Sequence, residues 1–195
     1  EKKDTVQLTK DRDQNFPSAA WTPDGNYVIA AKGRLDVKLW IMHKDAGSGG
    51  QLIETPGLKT IDPVVSPDGR YIYYSQRFGP WTYNAPMPQY QIGVYDRDNA
   101  KSTTIAARYG SAFTPTISKD GKWMAYGSRY EDKTGLILRD MESGSEKWLA
   151  YPVQRDDQES IATMGVLPGM SFTPDSKALI ASYGGKIYRI PVGGT

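Results

Sequence analysis

A four-residue turn that keeps returning limits what this chain can fold into. Ser66-Pro67-Asp68-Gly69 leads at once into the aromatic and aliphatic run Tyr71-Ile72-Tyr73-Tyr74. Proline presets φ, aspartate bonds its own backbone, and glycine takes the positive φ that other residues avoid, so these four residues reverse the chain. The run behind them suits a pleated, largely buried strand. The unit recurs as Thr22-Pro23-Asp24-Gly25 before Tyr27-Val28-Ile29-Ala30 and as Ser118-Lys119-Asp120-Gly121 before Trp123-Met124-Ala125-Tyr126. A last copy, Thr173-Pro174-Asp175-Ser176, precedes Ala178-Leu179-Ile180-Ala181.

The copies stand about 44 to 55 residues apart, each interval holds several short strands, and no amphipathic helix intervenes. Repeats of that length built from strands mark the blades of a β-propeller. The sequence therefore predicts an all-β chain, a β-propeller of four four-stranded blades at about 16–54, 61–106, 113–150 and 170–192, in a single domain over 1–195. The fourth repeat offers three strands, and Thr5-Val6-Gln7-Leu8-Thr9 offers a spare one. Pairing Val6 to Thr9 against Lys186 to Val192 would complete that blade, close the ring and hide two sheet edges. Closure can occur within one chain, or between two chains that share blades as a homodimer with an eight-bladed ring. Insertions are expected at Arg77 to Tyr90 and at Tyr151 to Gly169.

Composition narrows the partners. Lysine and arginine number 24 against 22 aspartates and glutamates, well interspersed, so no basic run exists to track a phosphate backbone and nucleic acid is not expected. No segment approaches the roughly 18 consecutive apolar residues of a membrane helix. Cysteine is absent, which excludes disulfides and thiol chemistry and leaves the compartment open. A chain that starts at Glu1 without a leader reads as a processed or excised segment.

The Ser/Thr-Pro-Asp-Gly-Arg/Asn-Tyr repeats resemble the WD-like propeller repeats of TolB and of the tricorn protease propellers. The run Tyr151-Pro152-Val153-Gln154-Arg155-Asp156-Asp157-Gln158-Glu159-Ser160, with Leu167-Pro168-Gly169, Phe172-Thr173-Pro174-Asp175 and Tyr183-Gly184-Gly185-Lys186-Ile187, is similar to the propeller region of large exported bacterial amidohydrolases. In those proteins a TolB-like propeller precedes a metal-dependent hydrolase barrel. The resemblance implies a periplasmic or secreted location and a neighbouring hydrolase domain or other protein as partner. The family's metal ligands, a His-x-His pair with further histidines and an aspartate, lie in the barrel and have no counterpart in this sequence.

Candidate sites are few. His43 is the one histidine, so a multi-histidine metal site is impossible; it reads as a strand-end residue. Asp24, Asp68, Asp120 and Asp175 are accounted for by their turns. Asp156, Asp157 and Glu159 gather in the second insertion, where two carboxylates could act on glycosides or several oxygens could hold calcium; beside Arg155 they read first as a solvated, ion-paired rim. The first insertion carries Trp81, Tyr83 and Tyr90 among prolines. Stiff aromatics lose little entropy on binding, so these three are candidate docking residues. The expectation is a non-catalytic interaction module with no cofactor and no metal; the alternative is a hydrolase whose site uses the acidic loop.

Overall fold

The computed structural model describes residues 5–47, 49–79, 87–155 and 169–193, the side chains of 154 and 155 excepted. It is all-β, with four antiparallel blades arranged as a β-propeller and no helix among the described residues. Blade 1 comprises β1 (Ala19–Trp21), β2 (Tyr27–Lys32), β3 (Lys38–His43) and β4 (Gly50–Gln51). Blade 2 comprises β5 (Leu58–Val65), β6 (Tyr71–Phe78), β7 (Gln91–Asp96) and β8 (Lys101–Ala106). Blade 3 is β9 (Phe113–Ile117), β10 (Trp123–Tyr130), β11 (Lys133–Asp140) and β12 (Glu146–Arg155), and blade 4 is β13 (Met170–Phe172), β14 (Ala178–Tyr183) and β15 (Lys186–Pro191). Within every sheet the strands lie in chain order, and the inner strands pack in the order β1, β5, β9, β13.

The turn motif builds the same joint four times. In blade 1 the Thr22 hydroxyl donates to Asp24 Oδ1 at 2.5 Å, that oxygen accepts the Asn26 N–H at 3.1 Å, and Thr22 Oγ1 accepts the Tyr27 N–H at 3.1 Å. Ser66 with Asp68, Ser118 with Asp120 and Thr173 with Asp175 repeat the pattern. Hydroxyl donation, followed by the backbone N–H, holds all four carboxyls below the usual range. Successive turns also touch: a Cβ on Gly69 would stand 3.8 Å from Pro23, and one on Gly121 would stand 3.9 Å from Pro67. Where Lys119 replaces proline, the Asp120 N–H donates to Ser176 Oγ at 3.2 Å instead.

The core lies between blades, because strand side chains alternate in direction. Ile72 and Tyr74 join Ile29 and Leu39 of blade 1, whereas Tyr73 and Ile92 face Met124 and Tyr126 of blade 3. Leu136 and Leu138 meet Phe172 and Leu179 of blade 4. Each such side chain, fully buried, contributes about 1.5 to 3 kcal/mol.

Two expectations are corrected. Among the described residues, 5–10 form no strand and blade 4 has three strands, so within one chain Val6 to Thr9 do not pair with Lys186 to Val192. The segment lies along blade 1, lining a cavity of about 580 Å³ with Trp40 and Met42. Three contacts steer it there: Asp11 pairs with Lys32 at 2.9 Å, the Gly33 N–H donates to Asn15 O at 3.0 Å, and the Ala31 N–H donates to Ser18 O at 2.9 Å. Second, Tyr151 to Arg155 are not loop; they extend β12. Pro152 can sit there because β12 is an outermost strand, where a missing N–H costs no ladder bond.

Candidate interaction surface

Of the residues singled out from sequence, Trp81, Tyr83, Asp156, Asp157 and Glu159 lie outside the described residues. Arg155 ends β12. Tyr90 is a correction: it is buried in the core between blades 1 and 2, with its ring edge-on to Phe113 at 6.3 Å and the Arg77 guanidinium over its face at 5.3 Å. It anchors the foot of the first insertion and offers no docking surface. Ser111 Oγ accepts the Gln89 N–H at 2.9 Å and the Tyr90 N–H at 3.3 Å, and on the other side the Lys59 ammonium donates to Gly79 O. His43 is a half-exposed strand-end residue whose Nδ1 accepts the Asp45 N–H at 3.3 Å, with Tyr27 edge-on at 5.2 Å.

A surface that sequence reasoning missed lies where blades 2 and 3 meet. The turn Arg108 to Ser111 is clamped to β10: the Arg129 N–H donates to Gly110 O at 2.7 Å, and the buried Ser128 hydroxyl donates to Ser111 O at 2.8 Å. A Cβ on Gly110 would stand 1.8 Å from the Arg129 carbonyl oxygen, so only glycine permits that approach. The clamp presents Tyr109, 83% exposed, beside a cavity of about 730 Å³ that Arg108, Arg129, Tyr130 and Glu131 also line. Tyr130 continues into a cluster with Trp148 and Tyr151, at centroid separations of 6.4 and 5.7 Å. The Tyr151 hydroxyl donates to Tyr130 O at 2.9 Å, and Gly135 leaves room for both other rings, since a Cβ there would meet Trp148 at 2.6 Å and Tyr151 at 2.8 Å. Arg108 stacks over Trp148 at 5.5 Å and pairs with Glu146 at 3.0 Å. Exposed aromatics beside cations, held by backbone clamps, are the composition of an interaction hot spot.

One carboxyl differs from all those of the turns. Asp62 sits on the inner strand β5 with φ 52°, at the register shift between Ile61 and Val64. Its N–H donates to Ser18 Oγ of blade 1 at 2.9 Å, and its Oδ2 accepts the Ser75 hydroxyl at 3.1 Å and the Thr114 hydroxyl of blade 3 at 3.3 Å. Part of the residue reaches solvent, yet enclosure of the carboxyl pushes its pKa up to about 6, against the downward pull of the two hydroxyls. Ser18, Asp62, Thr114 and Gly169 each stand four residues before the turn motif, so this one residue ties three blades at equivalent points, to blade 1 through its backbone N–H and to blade 3 through its carboxylate. The groups that meet the carboxyl are the Ser75 and Thr114 hydroxyls, and no three His, Asp or Glu side chains among the described residues gather closely enough to hold a metal.

The geometry can be set beside known proteins. No family model matches the sequence, and no curated protein matches it. Solved structures do match in fold. A structure assigned to TolB of Agrobacterium tumefaciens superposes with a TM-score of 0.66 at 21% identity, over 95% of this chain and 61% of that one. TolB from Acinetobacter baumannii gives 0.60 at 18% identity, over 90% of this chain and 38% of that one. The fold is a TolB-like propeller. Oligogalacturonate lyase from Vibrio parahaemolyticus shares this TolB-like architecture, with a TM-score of 0.63 at 16% identity over 90% of this chain and 48% of that one. The chain thus spans less than two thirds of the length of each of these structures.

Proposed function

We propose that this chain is a non-catalytic propeller scaffold that binds protein, of the kind that precedes a metal-dependent amidohydrolase domain, working in the periplasm or outside the cell. One observation carries the reading: an exposed aromatic surface, Tyr109 with Tyr130, Trp148 and Tyr151, is held rigid by backbone clamps, while the repeated carboxyls are consumed by turns. Trp81, Tyr83, Arg155, Asp156, Asp157 and Glu159 belong to the same proposal as contributors from the two insertions. Binding of the chain to a hydrolase domain of the resembling family, followed by calorimetry, is expected to weaken at least tenfold, about 1.4 kcal/mol, when Tyr109 and Trp148 are both alanine. Unchanged binding would remove this surface from the account.

A second reading is favoured by the fold neighbours that are enzymes, among them the oligogalacturonate lyase. In it the acidic loop would act on a glycoside or uronide. Incubating the chain with amide, peptide and oligogalacturonate substrates, with and without divalent metal, separates the two. No turnover is expected, and turnover that disappears in Asp156→Asn would establish the enzyme.

A further inference from the structure

The repeat allows each blade face to be compared with its equivalents. The residue just before the turn motif points at the preceding blade: Val65 of blade 2 packs with Ile29 and Leu39, and Phe172 of blade 4 with Leu136 and Leu138. Val65 is 8% exposed and Phe172 7%, but the equivalent Trp21 of blade 1 is 59% exposed. On the opposite faces, Leu39 pairs with Ala31, Ile92 with Ser75 and Leu136 with Gly127, each four residues beyond the start of its blade's second strand. Those three are 0, 0 and 2% exposed, whereas Ile187, paired with Ser182 at the same place in blade 4, is 77% exposed. The turns agree. Gly69 and Gly121 each meet the proline of the blade before, and a Cβ on Gly25 would meet nothing within 4 Å.

We propose that the outward faces of blades 1 and 4 are blade-to-blade interfaces, each covered by a further blade of the same turn-strand kind within one larger ring. The interface is continuous with the three already present: an apolar residue before the turn is laid on the middle strands of the neighbour, and at two of the three a proline is set against a glycine. Two details specify the added blades. The one before blade 1 brings a residue to the turn of Gly25 as Pro23 does to Gly69. The one after blade 4 brings a carboxylate or a carbonyl to Arg189, which stands where the other blades carry Ile41, Val94 and Leu138. The TolB-like structures that match this chain over part of their own length have the room for such blades.

Hydroxyl-radical footprinting of the whole gene product beside the 195-residue chain tests the assignment, with native mass spectrometry on both. Trp21 and Ile187 are expected to oxidise readily in the 195-residue chain and several-fold more slowly in a monomeric gene product. Equal oxidation in both overturns the proposal. Protection of the 195-residue chain at the mass of two chains also overturns it, because a second copy would then be the occupant. As an independent measure, Ile187→Lys should leave the melting temperature of the 195-residue chain unchanged and lower that of the gene product, and no shift in either would sink the idea.

Discussion

The turn face and the inner strands use the same residue type to opposite ends. Asp24, Asp68, Asp120 and Asp175 sit near solvent, bond within their own turns and are held more acidic than usual. Asp62 bonds across blades, is enclosed, and is pushed up to about 6. The first arrangement is local and can be copied from blade to blade. The second needs three blades in place before it exists, so it occurs once among the described residues. Contacts of the first kind define a blade, and contacts of the second kind define how blades meet.

The largest way to disturb that distinction is Gly110→Ala. Its methyl would collide with the Arg129 carbonyl, lifting the Arg108 to Ser111 turn from β10 at a cost of about 3 kcal/mol by denaturant titration, with the turn face unaffected. Next comes Asp62→Asn, which keeps the hydrogen-bond acceptor and tolerates the left-handed backbone. Because the native state raises this carboxyl from 3.8 to about 6, it binds a proton more tightly than the unfolded chain does. Its contribution is complete below the unfolded value and is lost as pH rises through about 6. The Asn variant should therefore be more stable than the parent at neutral pH by at most about 3 kcal/mol, and equal to it in acid. The turn carboxyls run the other way, losing their contribution as pH falls below the usual carboxylate range. Ser66→Ala removes both the donor to Asp68 and the acceptor of the Tyr71 N–H, for about 1 kcal/mol of thermal stability. Tyr109→Ala should be smallest, within about 0.5 kcal/mol on stability, while weakening association with a protein partner.

What the sequence made legible follows the same division. The four turns, the strands behind them and the blade count rest on residues adjacent in the chain, and the structure has them within a residue or two. The destination of Val6 to Thr9 was not legible. An orphan segment can pair with any edge, and here Asp11, Asn15 and Ser18 bind it to blade 1. Tyr90 looked like a loop aromatic because prolines precede it, whereas its burial depends on Phe113 and Arg77 from other strands. Asp62 did leave a signal: a carboxylate inside Ile61-Asp62-Pro63-Val64-Val65, aligned with Ser18 and Thr114, is out of place in an apolar strand. The clamp on Tyr109 left only Gly110 to find it by.

The strands of each sheet lie in the order in which they occur in the chain. A polypeptide leaving the ribosome could therefore finish one blade before the residues of the next have been made, with every hydrogen-bonded ladder except β6 with β7, which spans the first insertion, closing over a short loop. Synthesis itself would then set the sequence of folding events, and the late, slow step would be the docking of finished blades against each other.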